Sequence, residues 1–218
     1  MKRNPSQLRA IAHLSGPMMV LAGPGSGKTS VIVERTAYMI QEGKIPPSSI
    51  LVVTFSKAAA LEMKERFLKF MGEVRSEVTF GTFHGVFYGI LKHAYGLTGG
   101  NILSEEEKYE LLRELSLQFG GELAEEGDLT EELAKEISVV KGNRIPLEHY
   151  YSTCCPDEVF RQIYQGYVKT LKARRKLDFD DMLLYCYQLF TKRKDILSAW
   201  QKRFPYIPVS YTHLTLPT

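Results

Sequence analysis

Lys28 and Thr29 close a glycine-rich octet, Ala22-Gly23-Pro24-Gly25-Ser26-Gly27-Lys28-Thr29, that can grip a polyphosphate. Glycines let the backbone bend so that successive N–H groups turn inward toward phosphate oxygens. A helix starting near Lys28 adds the positive end of its dipole. The Lys28 ammonium would neutralise the β/γ oxygens, and the Thr29 hydroxyl would ligate magnesium, so ATP and Mg2+ are the implied cofactors. The binding stretch runs on into Ser30. Ala22 departs from the general pattern, which has glycine there, and a glycine-rich turn with no ligand is the plain alternative.

Other residues carry chemistry and a bland explanation side by side. In Asn4-Pro5-Ser6-Gln7, Asn4 can cap a helix with Pro5 first inside it and Gln7 returning the cap. A glutamine amide can equally pair with adenine along its Hoogsteen edge. Asp178, Asp180 and Asp181 suggest a metal site, but they sit at a helix start where Asp178 reads as the N-cap. Lys169, Lys172, Arg174, Arg175 and Lys176 could track phosphates or form a solvated helix end. Cys154, Cys155 and Cys186 have neither zinc spacing nor a disulfide framework.

The elements that must position these groups follow from hydrophobic patterning. Apolar runs MMVLA, ILVVTF and EVTFGTF alternate with helical segments from Lys28, through about Phe70, and from His84. This predicts an α/β fold, a parallel sheet with helices on both faces. From Ser104 the chain turns acidic and helical, with Ser104 and Glu107 as a capping box. An all-helical insertion is expected over 104–176, interrupting a sheet domain of 1–103 that resumes over 177–207 from an aromatic strand start, FPYI. With 44% hydrophobic and 24% charged residues, long disorder is excluded. A net charge of +3 is too small to demand a polyanionic partner by itself. The start lacks an apolar h-region and no apolar run approaches ~18 residues, which implies no membrane partner and a cytoplasmic location.

The ordered set NPSQ, AGPGSGKT, TFSKAAALEMKERF, GTFHGVFYGIL, LDFDDML and WQKRFPYI resembles the N-terminal half of UvrD/Rep/PcrA-type superfamily 1 DNA helicases. The resemblance implies a RecA-like motor domain with a helical insert, ATP hydrolysis, and 3′ to 5′ stepping on single-stranded DNA toward a duplex junction. It makes Gln7 the adenine reader, and Gly25, Gly27, Lys28 and Thr29 the triphosphate and magnesium site. It matches Thr54, Phe55, Ser56 and Lys57 to one DNA-lining motif and Thr82, Phe83 and His84 to the next. Phe55 could stack on a base or pack in the core. His84 is expected to make a polar contact, to DNA or a nearby loop, with no acid–base role. Ala58 stands where many relatives have lysine, and Ser30 where many have an arginine that helps hold the base. Adenine affinity is then expected to lean more heavily on Gln7.

In relatives a strand beginning like FPYI runs into an acidic motif that holds magnesium and polarises water. Here PVSYTHLTLPT follows, and VSYTHLTLPT from Val209 to Thr218 resembles, residue for residue, the translation of a transposon-end sequencing adaptor. Residues 208–218 are therefore expected to be a non-native tail, and the chain to bind nucleotide weakly without turning it over. The subunit of an AddA/RecB-type helicase–nuclease, a non-catalytic nucleotide- and DNA-binding module, and a P-loop transferase are the other classes left open.

Overall fold

In the computed structural model, residues 3–72, 76–121 and 129–211 are described. In chain order the elements begin α1 (Pro5–Ala12), α2 (Lys28–Gln41), β1 (Leu51–Thr54), α3 (Lys57–Phe70), β2 (Thr79–Thr82) and α4 (Phe83–Tyr95). They continue α5 (Glu105–Phe119), α6 (Leu129–Asn143), α7 (Asp157–Arg174), α8 (Phe179–Lys192), α9 (Lys194–Arg203) and β3 (Val209–Ser210). The chain divides into two compact units, 1–86 with 193–218, and 87–192.

The first unit is α/β. Its three strands are parallel in the order β2-β1-β3, with Thr54 opposite Thr82 on one side and Ser210 on the other. All four residues of β1 are buried, as a central parallel strand covered on both faces requires. Period-two alternation sends Val52 toward Val33 and Ala37 of α2 and Met63 and Phe67 of α3. Leu51 and Val53 face the other way, onto Phe83 and Val86 of α4 and Trp200 and Phe204. In α3 the buried residues Ala60, Met63 and Phe67 recur at helical spacing, and Ser56 caps the helix by accepting from the Ala59 N–H at 3.2 Å.

MMVLA, expected as a strand leading into the glycine-rich loop, is not one. Met19 and Leu21 are 85% and 80% exposed. A strand needs a neighbour to take its N–H and C=O groups, and the edge strand β3 is two residues long, too short to template five. The expected strand start FPYI is likewise displaced. Tyr206 makes a single bridge to Ile50, and regular pairing waits until Val209. Of the expected tail, residues 212–218 lie outside those described.

The second unit is helical. Leu112, Leu133, Ile137, Phe160, Ile163 and Tyr167 form the centre of its core. Gly166 lets α7 approach α5, because a Cβ there would lie 2.8 Å from the Leu115 side chain. The Ser104–Glu107 capping box forms as expected and starts α5. Asp178 is an N-cap, accepting from the Asp181 N–H at 2.8 Å. Lys141 of α6, buried, donates to Asp178 at 2.7 Å and Asp181 at 2.9 Å, and the Tyr167 hydroxyl donates to Asp178 at 2.9 Å. The acidic cluster is thus a helix start neutralised by a lysine. Lys176, last of the basic run, pairs with Glu107 at 2.9 Å. Among the described residues no group of three or more His, Cys, Asp or Glu could hold a metal ion, and no helix is long and apolar enough to cross a membrane.

Candidate functional site

The glycine-rich loop has the backbone its sequence demands. Gly25 and Gly27 sit at φ +72° and +81°, in the left-handed region, and Gly27 is the N-cap of α2. A side chain at either position would be strained, and the reversal of backbone sign is what turns neighbouring amides into one concavity. The Ser26 N–H closes the turn on the Gly23 carbonyl at 3.3 Å.

Lys28 Nζ donates to the carbonyls of Ala22 at 3.2 Å and Gly23 at 2.9 Å. The ammonium is thereby held across the mouth of its own loop by groups that a phosphate oxygen outcompetes, since a charge-assisted bond to an anion is roughly twice as strong as a neutral one. Pro24 and Ser26 are exposed, and Thr29 and Ser30, in the first turn of α2, are half-buried.

The N-terminal helix is docked against this loop. Gln7 Oε1 accepts from the Asn4 N–H at 3.0 Å, and the Asn4 side chain accepts from the Gln7 N–H at 2.8 Å, so the capping box exists. The same amide reaches further. Gln7 Nε2 donates to the Ser26 carbonyl at 3.0 Å, joining residues 19 apart. Cap and loop contact are therefore made together by one side chain. A cleft of about 960 Å³, at the upper end of the usual size for a small-molecule site, is lined by Asn4, Gln7, Ala22, Ser26 and Lys28, with Val20, Leu21 and Val209 as apolar wall.

The second group of residues lies at the C-terminal ends of β1 and β2, the end of a parallel sheet where ligands collect. Thr54 and Thr82 are buried register partners. Thr82 Oγ1 accepts from the Gly85 N–H at 3.1 Å and so starts α4. Beyond Thr54, Phe55 is 56% exposed, which removes the core-packing alternative, and its ring meets that of Tyr211 edge-on at 6.1 Å. Ser56 and Lys57 are exposed beside it. Phe83 does otherwise and packs on the Leu51–Val53 face of the core, with His84 half-buried next to it.

One cation near the loop escaped sequence reasoning. Arg3 Nε donates to both Glu34 carboxylate oxygens, at 3.0 and 2.9 Å, and Nη2 also bonds Glu34. Nothing local in the sequence signals a partner 31 residues away.

A model of the UvrD/REP helicase N-terminal domain matches residues 3–209. The chain is similar to the putative ATP-dependent DNA helicase YjcD of Bacillus subtilis, 38% identical over an alignment of 214 residues that covers 94% of this chain and 27% of that protein. It is 32% identical over 223 residues to the ATP-dependent DNA helicase PcrA of Bacillus subtilis, covering 94% of this chain and 28% of the relative. It is also 32% identical over 216 residues to the ATP-dependent DNA helicase Rep of Escherichia coli, covering 96% and 32%. The chain thus spans about a third or less of the length of these relatives.

Proposed function

The chain belongs to the family of UvrD/REP helicase N-terminal domains, and on that premise we propose that it is the nucleotide-binding part of an ATP-dependent DNA helicase that steps 3′ to 5′ on single-stranded DNA toward a duplex junction. The observation that carries this is the Lys28 ammonium resting on the carbonyls of a loop bent at Gly25 and Gly27, with Gln7 docked against the loop.

In this reading the loop amides and Lys28 take the triphosphate, the ammonium leaving Ala22 and Gly23 for the β/γ oxygens. Gln7 reads the adenine edge, and Ser30 lies on the helix face beside it. Bound magnesium would supply charge neutralisation between the phosphates. Thr29 has the hydroxyl chemistry to ligate it, while among the described residues no group of three or more His, Cys, Asp or Glu could hold a metal ion. In this reading the 218-residue chain binds nucleotide without hydrolysing it.

The DNA strand runs over the ends of β1 and β2. Phe55 offers a stacking face, and Ser56, Lys57 and His84 supply polar contacts around it; Thr54 and Thr82, matched to the same motifs by sequence, are buried and hold the strand ends instead, with Phe83 as the wedge that fixes the second loop. Stacking suits a translocating enzyme because every base has a π-face.

Phosphate release by the purified chain, with ATP, magnesium and oligo(dT), tests the reading. Binding of a non-hydrolysable ATP analogue with no release above background is expected. Turnover that disappears in Lys28→Ala contradicts the inactivity, and no analogue binding contradicts the motor reading.

A further inference from the structure

Arg3 sits beside the phosphate loop with no part in the roles assigned above. Its guanidinium is pinned side-on by Glu34, through Nε and Nη2, and the remaining nitrogen turns toward the loop. Nη1 lies 3.7 Å from the point where Gly27 would carry a Cβ, and Gln7 Nε2 lies 3.5 Å from the same point. Gly27, Ser30 and Glu34 share one face of α2 by their spacing of three and four residues. Arg3 lies along that face from Glu34 toward Gly27. Lys28 points elsewhere, into the carbonyls of Ala22 and Gly23, so the two cations are not redundant.

We propose that Arg3 is a base-binding residue of the nucleotide site, its pinned guanidinium plane forming one side of the slot in which Gln7 reads the purine. This rests on the phosphate-loop reading. Phosphate is the wrong ligand for Arg3, because the paired edge that would grip an oxyanion bidentately is already occupied by a carboxylate that also offsets its charge. What the Glu34 pairing leaves unused, on a side chain 17% exposed, is the planar face, the part of a guanidinium that stacks on an aromatic ring, and the Nη1 edge. Glu34 is then a positioning residue, holding the plane so that little rotamer entropy is lost when the base arrives.

The test uses the 218-residue chain with two probes, a non-hydrolysable ATP analogue and inorganic tripolyphosphate, titrated calorimetrically. Arg3→Ala is expected to weaken the analogue about tenfold, the size of one stacked cation–π contact, and to leave tripolyphosphate within twofold of the parent. The second probe also reports that the loop is still folded. Arg3→Lys keeps the charge and loses the plane, and is expected to remain as weak as Arg3→Ala. Unchanged analogue affinity in Arg3→Ala, equal loss of both probes, or full recovery in Arg3→Lys overturns the proposal. A parent chain that binds neither probe fails the phosphate-loop reading itself and takes this inference with it.

Discussion

Thr54 and Thr82 stand directly opposite each other in the register of β1 and β2. Both strands therefore end at one level, and the loops that leave them diverge from a common line. Phe55 goes out to solvent while Phe83 turns into the core. Of the two aromatic rings matched to DNA-lining motifs, Phe55 is the exposed one, at 56%.

Phe55→Ala should therefore weaken binding of oligo(dT) by about 1–3 kcal/mol, roughly ten- to a hundredfold, the range for loss of one base–aromatic stack. Fluorescence anisotropy reads the affinity and a melting curve the fold. The melting temperature should hold, because the ring is more than half exposed. A variant that binds as tightly as the parent removes Phe55 from the interface.

Lys141 neutralises two carboxylates at the start of α8, with its own side chain 3% exposed. Lys141→Met leaves Asp178 and Asp181 buried together without a counter-charge, and breaking a buried pair in this way costs about 3–5 kcal/mol. Urea unfolding followed by helix signal should show the loss in the helical unit. A loss below ~1 kcal/mol, the worth of an exposed pair, would mean that the pair is solvated.

Asp181 gives that cluster a pH dependence. Burial, with the neighbouring Asp178 charge and against Lys141, raises its carboxyl from 3.8 to about 6. The folded chain then holds a proton that the unfolded chain releases, so the contribution to stability is present below pH ~4 and is lost as pH rises through about 6. Asp178 works in the opposite sense, its carboxyl lowered despite burial because Lys141 faces it. Asp181→Asn cannot titrate. Between pH 4 and 7 the urea midpoint of the parent should fall relative to that of the variant, and a constant difference would contradict the raised value.

Legibility in the sequence followed the range of each interaction. The caps at Asn4, Ser104 and Asp178, the helix from Lys28 and the bends at Gly25 and Gly27 are local, made by residues three or four apart, and spacing alone finds them. MMVLA has strand composition, yet pairing depends on a neighbouring edge that composition does not report. Arg3 and Lys141 were hidden for the same reason, because their partners lie 31 and 37 to 40 residues away. Gln7 offered a choice between cap and ligand reader; the cap is formed by its oxygen, while its nitrogen donates to the Ser26 carbonyl of the loop.

Everything assigned to the motor depends on the loop from Ala22 to Thr29 taking a triphosphate with the Lys28 ammonium. Titration of the purified chain and of Lys28→Ala with a fluorescent, non-hydrolysable ATP analogue tests this most directly. Saturable binding by the parent and a loss of about a hundredfold or more in Lys28→Ala, at unchanged melting temperature, is the predicted result. Equal binding by both proteins, or none by the parent at millimolar analogue, would contradict it.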